Sequence, residues 1–507
     1  MLNEQSDYTK NRNYWKYLKN KLKKENPQLV STAPKKKERK MEIKAVHFDM
    51  KSMIPTADYA LTLVDELAEQ GFNAILVEFE DKFPFDATAG LHHPCAWTKE
   101  EFRRFGAHCK EKNVELIPLL QSIGHLDYIL KYPKFRDLRD GGPGGTSYQW
   151  CLALEETYEL WCAMVEELLE VFPGTKIFHI GADECNMRIP CERCGSDKLD
   201  LYIKRVGRCA EYIQKKNLKV VLWDDVFRNH GAEKFAELPK GVIPCVWMYR
   251  ELDYDYLERM AASGLEFWSA SCIQAHRFYS AMAPQEPKMR NVDAWGAVHA
   301  KYPRISGHVG TAWGRIQCQS PIDVTLPQSM FMSAYLSETL TKGVITDRKK
   351  FANEFGKKFF GMELDYDAMF SYFCYEPACA GKFVTELKDN ASRHRDLAEI
   401  WYGFNEIDKM LEYIYTCFAN NEAMLTTWRA GMAPNEMTSN WLDGVRRCYE
   451  DTLAGLERIK PMMLKYFPEK MWDEFVDQRF TAKLEQNEYW RHVLTNAAAK
   501  WKENMRK

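Results

Sequence analysis

At 507 residues the chain is too long for one hydrophobic core, which usually stops growing near ~250–300 residues, so two or more structural units are expected. Hydrophobic residues at 46% and charged residues at 28% are the balance of a soluble globular protein, and a net charge of -2 excludes a general attraction to polyanions such as nucleic acid. No apolar stretch follows the charged start and no long uncharged span is present, so no membrane partner is expected, and fifteen cysteines without a secretory signal point to reduced thiols in the cytoplasm.

Residues 1–40 read as a basic N-terminal extension, with NYWKYLKNKLKK as a helical candidate and STAPKKKERK as a solvated segment. From Met41 the pattern becomes strand, turn, helix, repeated. IKAVHFDM (43–50) reads as a strand, 57–70 as an amphipathic helix closed by Gly71, and NAILVEFE (73–80) as the next strand. A helix over 100–113 precedes the apolar run VELIPLLQ (114–121), and a helix over 155–171 precedes TKIFHIGADE (175–184). After a helix near 198–215 come LKVVLWDD (218–225), VIPCVWMY (242–249) and LEFWSAS (265–271). A helix near 290–301 leads to RISGHVGTAWG (304–314), and the closing helix starts near Pro327.

Strands that are apolar on both faces and spaced by helices are parallel strands covered by helices. Eight of them predict an α/β fold, a (β/α)8 TIM barrel over 41–345, with polar and aromatic residues collected at the strand C-terminal ends that form its active face. Beyond about residue 345 the Val/Ile runs give way to helical patterns such as FANEFGKKFF and YEDTLAGLERIKPMMLKYF. A mostly helical C-terminal domain is therefore expected over 346–507.

The densest polar group is FHIGADE (178–184), where Gly181 and Ala182 keep the backbone uncrowded beside the ionisable His179, Asp183 and Glu184. An adjacent Asp-Glu pair is common, but similar ends recur in EFED (78–81), QSIGHLD (121–127), LWDD (222–225), VWMY (246–249), EFWSAS (266–271) and TAWG (311–314). Trp223, Trp247, Trp268 and Trp313 are therefore expected to line one pocket, since flat apolar faces with a polar edge suit a sugar site.

VEFEDKFPF, LIPLLQSIGHLDYIL, HIGADE and VLWDD together resemble the glycoside hydrolase family 20 β-N-acetylhexosaminidases, in the family's order along the barrel. The resemblance covers roughly residues 43–345 and is nearest to the hexosaminidase D-like branch that lacks an N-terminal accessory domain. It implies a retaining, exo-acting enzyme that removes β-linked GlcNAc or GalNAc from amino-sugar oligosaccharides or glycoconjugates. The substrate's own acetamido oxygen would be the nucleophile, an exception to the two-carboxylate scheme. By the same resemblance Glu184 is the general acid and base, Asp183 orients the acetamido group, and Tyr249 donates to its carbonyl. Trp313 floors the sugar, and Glu78, His125 and Asp224 bind hydroxyls or orient the pair. His179 is expected to support Asp183 and Glu184 from below the rim. The acid's pKa is expected to be raised by burial or a nearby like charge.

Two departures stand out: Ala182 replaces the second glycine of the commoner HIGGDE, and HFDMK at the first strand lacks the arginine that many relatives use to hold sugar hydroxyls. No cofactor is expected for catalysis, and HFD at 47–49 lacks the second histidine of an HxH metal signature. CERCG (191–195) suits a zinc turn but supplies only two ligands. Cys185, Cys191 and Cys194 form the candidate structural zinc set, with Cys151 or Cys209 as other completing ligands and unligated thiols or a redox pair as alternatives. A homodimer is a candidate assembly. The rival functions are a carbohydrate-binding barrel without turnover and a two-carboxylate retaining glycosidase with Glu78 or Asp224 opposite Glu184.

Overall fold

The computed structural model describes residues 41–506 apart from 52, 275–284, 303, 315–325, 374–376, 408, 411–422, 424–425 and 427–436. The expectations for residues 1–40 lie outside the described residues. In chain order the strands are β1 (Ile43–Asp49), β2 (Ala74–Glu78), β3 (Glu115–Leu119), β4 (Arg139–Asp140), β5 (Thr146–Trp150), β6 (Ile177–His179), β7 (Lys219–Trp223), β8 (Val242–Trp247), β9 (Phe267–Gln274) and β10 (Ile305–Ala312). All but β4 and β5 pair in parallel and close into a barrel in the order β1-β10-β9-β8-β7-β6-β3-β2. The fold is the expected TIM barrel.

The period-2 alternation of a strand explains why these runs lack polar breaks. Ile43 and Ala45, Ala74 and Leu76, Ile117 and Leu119, and Val221 and Trp223 fill the barrel interior. Their neighbours Val46 and Phe48, Ile75 and Val77, and Val220 and Leu222 join the apolar layer against the helices. Each buried Val, Leu, Ile or Phe among them stabilises the fold by about 1.5–3 kcal/mol relative to exposure. Register then sets the mouth: Asp49 lies beside Glu78 at the ends of β1 and β2, and Leu119 of β3 lies beside His179 of β6.

The covering helices are α1 (Ala57–Glu69), α2 (Lys99–Glu111), the single turn α3 (Asp127–Leu130), α4 (Glu155–Val171), α5 (Lys198–Gln214), α6 (Asp225–His230), α7 (Tyr254–Ala262), α8 (Glu286–Lys301) and α9 (Leu326–Lys342). Their starts follow sequence signals: Thr56 accepts the Tyr59 N–H ahead of α1, and Thr98 with Glu101 closes a reciprocal capping box on α2. Beyond Arg348 the described elements are helical, including Arg348–Phe359, Met437–Met463 and Ala482–Asn504. They reach back to the barrel layer, where the Thr56 N–H donates to Tyr466 O at 2.8 Å and His93 Nε2 meets Glu474 Oε2 at 2.6 Å.

Three local expectations are corrected. The strand expected over 175–184 ends at His179, because Gly181, Ala182 and Glu184 take positive φ values of 62°, 71° and 49°. The adjacent acids therefore diverge through a left-handed turn rather than through strand alternation. Strand β9 runs on to Gln274, so Trp268 sits near its start and packs inside the barrel against Gly307, well below the mouth. Its serines, taken for a strand end, are buried within the strand. The stretch between β3 and α4, which carried no strand signal, holds the antiparallel hairpin β4–β5.

Candidate active site

The mouth has two acidic sectors joined by one glutamine. In the first, Lys51 follows β1 and its ammonium is 2% exposed. Its Nζ lies 2.8 Å from Glu78 Oε2, 3.5 Å from Asp49 and 3.9 Å from Glu80, and 4.7 Å above the Trp313 ring. Burial works against the Lys51 charge, but the three carboxylates outweigh it and raise its pKa. Burial would likewise raise Glu78, yet Lys51 and the His47 ring at 3.2 Å hold it well below the usual carboxylate range. His47, Asp49 and Glu78 converge as a metal site would, and the Lys51 ammonium already pairs with both carboxylates of that group.

Gln121, just past β3, donates from Nε2 to Glu78 Oε1 at 3.4 Å and to Asp183 Oδ1 at 3.0 Å. Its Oε1 accepts the Ala182 N–H at 3.2 Å. A Cβ at Gly181 would stand 2.0 Å from that oxygen, so glycine is required there for the close approach as well as for its φ.

In the second sector Asp183 is buried and Glu184 is half exposed, its side chain at 50%. His125 Nε2 lies 3.3 Å from Asp183 Oδ2, 3.4 Å from Glu184 Oε2 and 2.7 Å from the Tyr148 hydroxyl of β5. That hydroxyl also donates to Glu184 Oε2 at 3.4 Å. Burial disfavours a charged His125, but Asp183 and Glu184 raise its pKa well above the ordinary value. His125 in turn lowers Glu184, against burial and with help from Tyr148. The expectation of a raised acid is therefore corrected for the free protein: the hydrogen bond and charge of His125 outweigh burial at Glu184.

At the end of β7 the acids have separate roles. Trp223 points into the barrel, so Asp224 turns outward, fully buried, to the Arg228 guanidinium at 3.4 Å and the Trp247 N–H at 3.3 Å. Burial pushes it up to about 6. It is Asp225, the first residue of α6, that turns over the mouth: its carboxylate accepts the Glu184 N–H at 2.9 Å and the Trp247 indole N–H at 3.3 Å. Burial and the neighbouring Asp183 charge push Asp225 up to about 7. Asp224 as a hydroxyl-binding candidate is corrected accordingly.

His179 is fully buried, accepts the Gly181 N–H on Nδ1 at 3.0 Å and rests on Trp223 at 4.4 Å, and burial drops it to about 3. It props the turn from below as a neutral ring, so its direct substrate-binding assignment gives way to the supporting one. Trp313 spans Trp223 at 6.2 Å, Tyr249 at 6.5 Å and His47 at 4.5 Å. Trp247 lies 5.1 Å from Tyr249, whose hydroxyl is kept protonated chiefly by burial, next to Thr311 and Trp313. Beyond Glu184 a hollow of about 300 Å³ is lined by Glu184, Asp225, Arg228, His230 and Trp247.

Lys51, Gln121, Tyr148 and Asp225 escaped the sequence reading. A lysine directly after an apolar strand and a glutamine ending another were visible signals; Tyr148, on a hairpin without strand-end polarity, had none. Of the thiols, Cys191 and Cys194 come together with Cys151 and Asp140. Cys185 falls outside this group and packs in the apolar layer, so the candidate set of Cys185, Cys191 and Cys194 is corrected. The β4–β5 hairpin brings Asp140 and Cys151 to CERCG. Cys209, on α5, also falls outside the group.

The family model described as "Glycosyl hydrolase family 20, catalytic domain" matches residues 24–276. The chain belongs to this glycosyl hydrolase family. Within family 20 it is similar to hexosaminidase D of Homo sapiens, 26% identical over 60% of this chain and 66% of that protein. It is also similar to hexosaminidase D of Bos taurus, 25% identical over 61% of this chain and 94% of that protein. The alignment thus leaves about a third of the human protein uncovered. A solved β-N-acetylhexosaminidase from Bacteroides fragilis superposes with a TM-score of 0.49 at 15% identity, over 63% of this chain and 70% of that one.

Proposed function

We propose that this family 20 chain is a retaining exo-β-N-acetylhexosaminidase that releases terminal β-linked GlcNAc or GalNAc by substrate-assisted catalysis. The observation that carries this reading is the split between the adjacent acids: Asp183 is buried and held by Gln121 and His125, while Glu184 is half exposed beside the hollow at α6. With the sugar on Trp313, the acetamido oxygen attacks the anomeric carbon as that carbon's bond to the leaving oxygen breaks. Glu184 gives its proton to the leaving oxygen, and Asp183 accepts the acetamido N–H and offsets the positive charge of the cyclic oxazolinium intermediate. Tyr249 donates to the acetamido oxygen. Water then opens the ring, with Glu184 taking its proton, and two inversions retain the configuration.

Glu184 is lowered in the free protein, yet a sugar seated over it removes the water that solvates its exposed half. That desolvation favours the protonated acid at the moment it is needed. A two-carboxylate mechanism needs a carboxylate free to attack from opposite Glu184. Glu78 is held by Lys51 and His47, and Asp224 by Arg228 and the Trp247 backbone.

The test compares a chromogenic β-GlcNAc glycoside with its 2-hydroxy counterpart, and wild type with Asp183→Asn. Turnover is expected to require the acetamido group, and Asp183→Asn to lose about 2.7–4 kcal/mol of transition-state stabilisation, mainly in kcat. A thiazoline mimic of the intermediate should bind the variant far more weakly than the wild type. Equal turnover of the 2-hydroxy substrate, or a carboxylate beneath the anomeric carbon in a thiazoline complex, overturns the mechanism. No turnover of any β-glycoside by the intact protein leaves a binding barrel instead.

A further inference from the structure

A second polar cluster lies behind the mouth and takes no part in the chemistry above. Asp140 ends β4, Cys151 follows β5, and Cys191 and Cys194 sit on the loop that leaves Glu184. All four are buried, and one ligand atom from each lies within 4.8 Å of the others. Cys151 Sγ is 3.7 Å from Cys191 Sγ and 3.4 Å from Cys194 Sγ, and Cys194 Sγ is 3.8 Å from Asp140 Oδ1.

These separations are far beyond the ~2.05 Å of a disulfide. They match the edges of a tetrahedron around zinc, where bonds of about 2.3 Å to sulfur and about 2.0 Å to oxygen place ligands about 3.5–3.8 Å apart. From this geometry we infer that Asp140, Cys151, Cys191 and Cys194 form a closed, structural zinc site.

The surroundings are those of an oriented ligand set. Asp140 Oδ2 accepts from Lys198 Nζ and from Gln149 Nε2, both at 2.6 Å, which leaves Oδ1 facing the sulfurs. Backbone N–H groups of Gly141 and Cys194 are directed at the Cys191 sulfur, and that of Ala153 at the Cys194 sulfur. Three thiolates and a carboxylate around a divalent ion leave excess negative charge, and the buried Lys198 reduces it. Soft sulfur donors in a small closed cage select zinc over oxygen-seeking cations such as magnesium or calcium. With four protein ligands and no exposed face, the ion holds structure and activates no water.

Its place in the fold gives it a positioning role. Tyr148 stands three residues before Cys151, and Glu184 seven before Cys191. The ion therefore ties together the two segments whose side chains meet at His125.

The test uses the full chain, expressed in zinc-supplemented medium and purified without chelator, and its readout is independent of turnover. Elemental analysis should find about one zinc per chain. Cobalt(II) added to the reduced, metal-stripped protein should give sulfur-to-cobalt charge-transfer bands and strong tetrahedral visible bands that vanish when zinc displaces it. Cys185→Ser should keep the metal, and Cys191→Ser with Cys194→Ser should lose it. Should that double variant fail to fold, the cobalt spectrum of the wild type decides. Metal-free protein without cobalt–thiolate bands, or a disulfide among these cysteines in the native protein, overturns the site.

Discussion

The two acidic sectors of the barrel mouth use the same residue types to opposite ends. At β1 and β2 the carboxylates of Asp49, Glu78 and Glu80 surround a buried ammonium, and Glu78 is locked in its charged form. At β6 and β7 the carboxylates of Asp183 and Glu184 share one imidazole, and Asp225 holds the Glu184 N–H beside an open rim. There Glu184 is lowered by His125 while Asp225 is pushed up to about 7. Tying a buried acid to an ammonium fixes it in its charged form, as at Glu78; leaving one acid half in water lets its proton affinity follow whatever covers it. Left-handed backbone concentrates here too, since Glu80, His125, Ala182 and Glu184 all have positive φ, the kind of local strain that persists where surrounding packing enforces it.

The sharpest way to break the comparison is to remove the open acid. Glu184→Gln is expected to cut turnover of an unactivated β-glycoside by ~10²–10⁴-fold. Its effect on stability should stay within ~0.5 kcal/mol, because the side chain is half exposed. Steady-state kinetics with urea unfolding checks both halves. Near-wild-type turnover, or a large stability loss, would remove Glu184 from its role.

The paired sector should behave the other way. Lys51→Met leaves the buried Glu78 without its nearest cation and is expected to cost about 3–5 kcal/mol of stability. Adding Glu78→Gln should recover part of that loss in a double-mutant cycle. If Lys51→Met unfolds at the wild-type urea concentration, the ammonium does not hold the sector together.

The smallest effect sharpens the contrast through pH. Under the proposed mechanism the free protein must carry the Glu184 proton to react, so kcat/KM is expected to fall as pH rises through the free Glu184 pKa. His125 lowers that pKa, and His125→Gln should move this limb to higher pH. Covering by the sugar should likewise place the kcat limb of the wild type above its kcat/KM limb. A His125→Gln limb that stays put or moves down would show that His125 does not tune the acid.

Much of this was legible in the sequence. The eight apolar runs gave the barrel because parallel strands covered on both faces cannot carry polar breaks. HIGADE marked the acid pair because ionisable residues closing an apolar run fall at the mouth. Periodicity could not tell where a strand stops once its residues turn small and polar, which is why Trp268 was placed at the mouth and lies below it. One residue of phase likewise separated Asp224, which faces the helices, from Asp225, which faces the barrel mouth.

By itself, then, the sequence determined the barrel strands and the acid pair, because both follow from local periodicity and from residue type at a run's end. Only the tertiary structure decided which charges meet. Lys51 reaches Glu78 across two strands, the β4–β5 hairpin brings Tyr148 to His125, and it carries Asp140 and Cys151 over CERCG. Protonation and ligand geometry depend on fields and distances of a few ångströms, and those are set by groups that packing brings together from far apart in the chain.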